Sequence, residues 1–332
     1  MRLARVAAAV AIAATTVIGS AACTMPGDKG TGGGTATGDG PIKIGFSQAT
    51  QQSPFYVALT DAAKQAAEQD GNQLFFADAN GDVTKQNNDV QDLITRGINV
   101  LVINPVDPKG VAPSMAAAAA AGIKVVTVDR PVENGAAAFV GRDNKAMGQT
   151  VGEAAVAALG PAGGKIVEIQ GDAGGAVARD RHDGFAAAVA GRPNISVIDG
   201  PYCDYIRSKA VTAMQDLLQA HPDVKAVYAQ NDDMALGALQ VLDENNRRDV
   251  LVFGVDGLME AVRAIAGGNQ YVATALNDPN TEGQLAVQTA VKVAKGESVP
   301  EFIDAGTGLV DKANAAALVG DTTFAKAPAP PA

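Results

Sequence analysis

From residue 42 onward, short and continuously apolar runs alternate with longer segments of helical periodicity, and few folds accommodate that alternation. Runs of β-branched residues without polar alternation are typical of strands that are buried on both faces. Strands that alternate with helices in this way favour a parallel sheet covered by helices. The sequence therefore predicts an α/β fold built from doubly wound parallel sheets.

The alternation occurs in two series of the same kind. The first series predicts helices beginning at Phe55, Val83 and Gly110, with strands at residues 42–46, 73–77, 100–103 and 124–128. The second predicts strands at residues 165–169, 195–198, 226–228, 251–255 and 272–275. A chain of 332 residues exceeds the usual size of one hydrophobic core, so we expect two lobes.

Each lobe is expected to contain two separate stretches of the chain. The first series ends near residues 142–145, where Asn144 is a candidate cap for a helix that continues to Leu159. A helix at residues 279–295 and an apolar stretch at 302–310 follow the second series. Three crossings would then join the lobes, and the Pro- and Ala-rich tail at residues 327–332 is expected to be disordered. The expected lobes are residues 41–143 with 278–304, and residues 144–277 with 305–326.

The first 40 residues have the features of an export segment. Arg2 and Arg5 precede an almost wholly apolar run at residues 6–18, which predicts a signal peptide at residues 1–22. Ser20-Ala21-Ala22-Cys23 resembles a lipoprotein cleavage box, which predicts a lipid on Cys23. A Gly- and Thr-rich tether then extends to residue 40. Plain secretion is the alternative, because Ser20 and Ala22 also satisfy the small-x-small cleavage rule.

The net charge and the cysteine content limit which binding partners and which disulfides are expected. The formal net charge is −10, and no Lys or Arg cluster is present, which argues against a nucleic-acid partner. If Cys23 is lipidated, Cys203 has no partner for an intramolecular disulfide. We expect an exported monomer, tethered to the membrane, whose fold does not depend on disulfides.

Polar and aromatic residues follow the predicted strands at their carboxyl ends, where doubly wound sheets bind ligands. Carboxylates accept hydroxyl protons, Arg and Asn donate to oxygen, and aromatic rings cover apolar C–H faces, which is the chemistry of sugar recognition. Each residue also has a structural alternative, such as a helix cap or a core ring. The candidate ligand-binding residues are Ser53, Phe55, Tyr56, Asp129, Arg130, Arg179, Tyr205, Asn231, Asp256 and Asn277.

Many ordered motifs resemble the ribose-binding protein family of bacterial ABC importers over residues 42 to about 312. The resemblance implies two lobes with three hinge strands that close on a monosaccharide. It also implies that Phe55, Tyr56 and Tyr205 stack on the ligand, while the polar residues bind its hydroxyl groups: Asp129, Arg130, Arg179, Asn231 and Asp256. The motifs include Ser53-Pro54-Phe55-Tyr56, Val128-Asp129-Arg130, Ala178-Arg179-Asp180-Arg181, Ala229-Gln230-Asn231-Asp232 and Asp256-Gly257.

Departures from the ribose binder of that family concern ligand specificity. That protein has Asn where Ser53 stands, Phe where Tyr56 and Tyr205 stand, and Gln where Asn277 stands. These changes favour a different pentose or an acyclic alditol of four or five carbons. We therefore predict a solute-binding protein that delivers such a ligand to an ABC permease, without a cofactor or a metal ion.

Three other classes of protein are alternatives to a solute-binding protein. Gly171, Gly174 and Gly175 superficially imitate a dinucleotide-binding turn, but their spacing fails the Gly-x-Gly-x-x-Gly requirement, which disfavours an NAD-dependent polyol enzyme. His182 and His221 lie in no apparent metal or nucleophile constellation and are expected at the surface and in a loop. A transcription regulator would need a DNA-binding helix-turn-helix in place of the export segment. A sugar-sensing co-receptor that presents ligand to a membrane receptor remains an open alternative.

Overall fold

The computed structural model describes residues 40–327. The predicted signal peptide, Cys23 and most of the predicted tether lie outside the described residues, as do residues 328–332. Within the described part, the chain forms two six-stranded sheets, each covered by helices. The predicted α/β fold of two doubly wound lobes is confirmed.

The first lobe contains a sheet in which every neighbouring pair of strands is parallel. Its strands are β1 (Lys43–Gln48), β2 (Gln73–Asp78), β3 (Val100–Ile103), β4 (Lys124–Val128), β5 (Ala138–Gly141) and β11 (Phe302–Asp304), in the order β11-β5-β4-β3-β1-β2. All four residues of β3 are fully buried, as expected for a central strand with helices on both faces. Its helices are α1 (Pro54–Gln69), α2 (Val83–Thr95), α3 (Ala112–Ala120) and α9 (Pro279–Ala294).

The second lobe repeats this arrangement, except that its last strand is antiparallel to its neighbour. Its strands are β6 (Gly164–Gln170), β7 (Ile195–Tyr202), β8 (Val224–Ala229), β9 (Leu251–Asp256), β10 (Tyr271–Leu276) and β12 (Leu309–Asp311), in the order β12-β10-β9-β8-β6-β7. Its helices are α4 (Asn144–Leu159), α5 (Ala176–Val189), α6 (Arg207–Ala220), α7 (Asp232–Glu244), α8 (Met259–Gly267) and α10 (Ala315–Leu318).

The chain passes between the two sheets three times: between β5 and α4, between β10 and α9, and between β11 and β12. Because the strands within each sheet run mostly parallel, their carboxyl ends gather at one edge of each sheet. The crossings lie beside these edges, and the polar residues that follow the strands can therefore meet there. None of the helices in residues 40–327 is long and apolar enough to cross a membrane.

Three local features of the structure differ from the expectations. Strand β5 was not predicted, because four residues after a loop give too short an apolar signal. Asp143, rather than Asn144, caps α4: its Oδ1 accepts a hydrogen bond from the backbone of Ala146 at 2.9 Å. Ala327, which was assigned to the disordered tail, is only 5% exposed.

Candidate functional site

A cleft between the two lobes brings together most of the predicted site residues. About 260 Å³ of space free of atoms, including its mouth to solvent, lies in this cleft. All the predicted site residues except Arg130 and Arg179 line it, joined by Val177 and Arg181. The lining residues are Ser53, Phe55, Tyr56, Asp129, Val177, Arg181, Tyr205, Asn231, Asp256 and Asn277.

Backbone strain concentrates at this cleft. Asp129 follows β4, Asp256 ends β9 and Tyr205 follows β7, and their φ angles are 62°, 129° and 61°. L-residues rarely adopt positive φ, and such strain persists where the surrounding structure holds it for a functional reason. Half of the six non-glycine residues with positive φ in the described part of the chain belong to this cleft.

Aromatic rings form two walls of the cleft. Phe55 and Tyr56 lie in the first turn of α1 after the capping residue Ser53, and their rings meet edge to face with centroids 5.6 Å apart. Tyr205 approaches from the second lobe and packs directly over Gly171. A Cβ atom at Gly171 would lie 2.1 Å from Cζ of Tyr205, so glycine is required for this ring position.

Arg130 lies under the first wall and links the lobes. Its Nη2 donates a 2.6 Å hydrogen bond to the hydroxyl of Tyr56, and its Nη1 donates to the carbonyl of Pro105 at 3.1 Å. The same Nη2 lies 3.5 Å from Oδ2 of Asp172, which follows β6 in the second lobe. Arg130 is 6% exposed, so this guanidinium is fixed in place rather than free to leave the cleft.

The structure corrects the prediction for Arg179. That side chain is 62% exposed and pairs with its neighbour Asp180, whereas Arg181 is buried and lines the cleft. Successive residues of a helix are 100° apart, so positions 179 and 181 point to nearly opposite sides of α5. Val177 and Arg181 are four residues apart on the buried face, and this periodicity was the signal in the sequence that identifies Arg181.

Arg181 is held firmly by the second lobe. Its Nε donates to Oδ1 of Asn144 at 2.9 Å and its Nη1 donates to the carbonyl of Gln230 at 2.5 Å. Its Nη2 lies 3.9 Å from Oδ1 of Asp256, and its guanidinium lies 5.9 Å from the ring centre of Tyr205. The charge is therefore placed between a carboxylate and an aromatic wall.

The two cleft carboxylates keep acceptor capacity for a ligand. Asn104 donates to Oδ2 of Asp129 at 3.1 Å, and Asn277 donates to Oδ1 of Asp256 at 3.0 Å. Burial raises the pKa of both carboxyl groups, although nearby arginines oppose the shift. Several further buried polar atoms around the cleft have no hydrogen-bond partner among the described residues: Oδ1 of Asn104, Nε of Arg130, Oδ1 of Asp172 and the hydroxyl of Tyr205.

Asn231 has a structural role as well as a place in the cleft. Its Oδ1 accepts from the backbone of Met234 at 3.0 Å and so caps α7, and its Nδ2 faces the carbonyl of Tyr205 at 3.4 Å. The alternative of a helix cap, considered from the sequence, is thus realised at this position. Asn231 fixes the backbone of Tyr205 while lining the cleft.

Arg142 was not among the predicted site residues, yet it joins all three crossings. It lies in the first, and it donates hydrogen bonds to Oδ1 of Asn277 at 2.8 Å and to the carbonyl of Asp278 at 2.8 Å in the second. In the third it donates to the carbonyls of Ala305 and Gly306. Its charge is balanced by the carboxylate of Glu282, and both side chains are 1% exposed.

A group of three possible metal ligands lies behind the cleft, at a place where the sequence suggested none. Glu168, His182 and Asp199 have ligand atoms within 4.8 Å of one another. Both oxygens of Glu168 are already engaged: Oε1 accepts from Gln230 at 2.7 Å, and Oε2 lies 2.8 Å from Nδ1 of His182. These two hydrogen bonds compensate for the burial of the Glu168 carboxylate. The carboxylate holds the side chain of Gln230, whose backbone carbonyl oxygen accepts a hydrogen bond from Arg181. His182, expected at the surface, is one-third exposed.

Two lobes that enclose a polar, aromatic-walled cleft define a class of protein that binds a small solute. Comparison with known proteins agrees. The model of the periplasmic binding protein domain matches residues 44–298 of this chain. The ribose import binding protein of Escherichia coli strain K12 is 39% identical over 257 residues, which cover 77% of this chain and 86% of that protein.

Two mycobacterial proteins are also similar. The xylitol-binding protein of Mycolicibacterium smegmatis is 30% identical over 269 residues, covering 80% of this chain and 76% of that protein. A solved ABC transporter solute-binding protein from Mycobacterium smegmatis, with bound glycerol, is 83% identical with a TM-score of 0.85, covering 86% of this chain and 99% of that chain. This chain belongs to the periplasmic binding protein family, and its resemblance to the ribose-binding group is confirmed.

Proposed function

We propose that this protein is the extracytoplasmic solute-binding component of an ABC importer for a small monosaccharide or a short sugar alcohol. The ligand is a pentose, a pentitol or a tetritol, and the protein binds it without chemical conversion. The observation that carries the proposal is the cleft itself. Two carboxylates and the buried guanidinium group of Arg181 line one cleft with aromatic walls, and the buried guanidinium group of Arg130 lies behind one of these walls, which suits a molecule with many hydroxyl groups.

The size of the cleft supports a small ligand. The free space of about 260 Å³ includes the mouth of the cleft to solvent, so the enclosed part is smaller still. Phe55 and Tyr56 on one side and Tyr205 on the other leave little room for a second sugar unit. A disaccharide would have to force the lobes apart, with the loss of contacts between them.

The chemistry of the buried polar atoms supports a ligand rich in hydroxyl groups. Asp172 and Tyr205 each carry a buried oxygen without a protein partner, and Arg130 carries an unpartnered Nε–H group. A hydroxyl group can donate to the former and accept from the latter, and each such bond to a charged group contributes about 1.5–3 kcal/mol. The similar proteins that bind ribose, xylitol and glycerol are consistent with this ligand class.

The test is a thermal-shift screen of pentoses, pentitols, tetritols, hexoses, disaccharides, amino acids and nucleotides. A ligand that binds only the folded protein stabilises it by mass action, by about 2.7 kcal/mol at 100 times its dissociation constant. We expect the largest rises in melting temperature from four- and five-carbon polyols or pentoses. Larger rises with amino acids, nucleotides or disaccharides, and none with small polyols, would contradict the proposal.

The proposed location is the outer face of the cell membrane, with a lipid on Cys23 as anchor and an ABC permease as partner. The support is the sequence around Cys23 and the tether that follows it. Wild-type protein should fractionate with membranes, whereas the Cys23→Ala variant should appear in the soluble fraction with unchanged ligand affinity. Recovery of wild-type protein in the culture fluid with an unmodified amino terminus would refute the anchor.

A further inference from the structure

The end of the described chain returns to the cleft. After β12, helix α10 packs on α8, and residues 321–327, here named the C-terminal strap, run past the end of β9. Phe324 pairs with Leu258 in an antiparallel bridge. Met259 donates a backbone hydrogen bond to Thr323 at 2.8 Å, and Ala325 donates one to Gly257 at 2.8 Å. The backbone of the strap is thus fixed to the second lobe immediately after Asp256.

The side chain of Phe324 reaches the other lobe. It is 2% exposed, and its ring meets that of Phe55 edge to face, with centroids 6.3 Å apart and an interplanar angle of 89°. Phe55 in turn meets Tyr56 edge to face, and the hydroxyl of Tyr56 accepts from Arg130. Tyr56, Phe55 and Phe324 therefore form a row of three rings. The first two line the cleft, and Phe324 packs against Phe55 at the end of the row.

The strap lies beyond the family domain, whose match ends at residue 298. The contact between Phe324 and Phe55 therefore involves a segment outside the matched residues. Phe55 and Phe324 belong to different lobes, so any separation of the lobes breaks the contact. An interaction made only in the closed arrangement shifts the open–closed equilibrium toward closure by its own free energy.

We propose that Phe324 is a positioning residue of the cleft, which holds Phe55 in the ligand-facing wall and stabilises the closed arrangement, so that bound ligand leaves slowly. This inference rests on the proposed function. Edge-to-face aromatic pairs are favourable beyond the area that they bury. Loss of the ring should act mainly on the rate of release, because encounter with the open cleft does not require the contact.

The experiment compares wild-type protein with Phe324→Ala, Phe324→Leu and Phe302→Ala, using xylitol as the probe. Phe302→Ala is the matched control, because Phe302 stacks on Phe139 at 5.5 Å within the first lobe only. We expect Phe324→Ala to accelerate xylitol release about tenfold, Phe324→Leu to have an intermediate effect, and Phe302→Ala to leave the rate unchanged. Melting temperatures of the ligand-free variants show whether each one folds.

Release as slow in both Phe324 variants as in wild-type protein would overturn the inference. Equal acceleration in Phe302→Ala would do the same, since it would show a general effect of losing an aromatic pair. If xylitol does not stabilise wild-type protein, D-ribose and glycerol replace it. If none of the three binds, the best ligand of the thermal-shift screen replaces them, and the proposed function fails if that screen finds no small polyol or pentose. In that case, solution scattering still tests Phe324, because ligand-free Phe324→Ala should have a larger radius of gyration than both wild-type protein and Phe302→Ala. Equal radii would refute the inference.

Discussion

Two arginines on one helix show how a single residue acquires a place in the site. Arg179 and Arg181 are only two positions apart on α5, yet one is exposed to solvent and the other lines the cleft. Their charges are equal, and they differ in the face of the helix from which they project. Arg181 is held at four points by groups of the second lobe, so its guanidinium is already oriented before a ligand arrives.

Replacement of these two arginines by alanine should therefore have different consequences. We expect Arg181→Ala to weaken polyol binding by at least about tenfold, since one charge-assisted hydrogen bond in a closed cleft contributes about 1.5–3 kcal/mol. The matched variant Arg179→Ala should bind within about twofold of wild-type protein, because an exposed ion pair contributes little. Titration calorimetry with the best polyol of the screen measures both. Equal losses in the two variants would contradict this assignment of the cleft arginine.

At the level of secondary-structure elements, Arg142 connects the three segments on which the lobes turn. Five of its hydrogen bonds end on the second and third crossings or on Glu282 at the start of α9. Asn277 accepts one of these hydrogen bonds at its Oδ1, and its Nδ2 donates a hydrogen bond to Oδ1 of Asp256 in the cleft. The geometry of the crossings and of one cleft carboxylate thus depends on the same guanidinium.

Variants of Arg142 should distinguish its contribution to stability from its contribution to the geometry of the cleft. Arg142→Met leaves Glu282 buried and unpaired, and breaking a buried pair costs about 3–5 kcal/mol of the free energy of unfolding. The double variant Arg142→Met with Glu282→Leu should recover most of that stability, because two apolar side chains can replace a buried pair. It should not recover affinity, since Asn277 loses its donor. Urea unfolding and calorimetry test the two effects, and wild-type affinity in the double variant would show that Arg142 acts through stability alone.

At the scale of the whole molecule, a buried carboxyl group couples stability to pH. Burial raises the pKa of Asp232 to about 7, despite hydrogen bonds from Tyr271 and Thr274. The pKa of an aspartate in the unfolded chain is about 3.9. At pH values between the unfolded and the folded pKa, the folded protein binds a proton at Asp232 that the unfolded chain does not bind. The contribution of Asp232 to stability is therefore fully present below the unfolded pKa and is lost as pH rises through the folded one.

We expect the melting temperature of the ligand-free protein to fall between pH 5 and pH 8.5. The cost is on the order of 1 kcal/mol for each unit by which a pKa is raised. Asp232→Asn should flatten the decline, whereas Asp61→Asn, at a largely exposed carboxylate, should leave it unchanged. Calorimetric scans across this range provide the measurement. A melting temperature that rises with pH would show that the pKa of Asp232 is not raised in the folded protein.

The sequence by itself determined the fold class and the chemical character of the site. Strands such as β3 are buried on both faces, so their uninterrupted apolar runs identified them without tertiary information. Strand ends with Asp129, Asp256 and Asn277 were visible because parallel sheets place their carboxyl ends at a common edge. The aromatic pair of Phe55 and Tyr56 was recognised from its motif.

Only the tertiary structure decided which atoms meet across distant parts of the chain. The spacing of Val177 and Arg181 places them on one face of α5, but only the packing of that helix brings Arg181 to the cleft. Arg142 joins crossings that are more than 130 residues apart in sequence, and Phe324 reaches Phe55 from the opposite end of the chain. Local patterns encode which face of a helix or strand is apolar, whereas contacts between lobes depend on how the packed sheets are placed. No spacing along the chain contains that information.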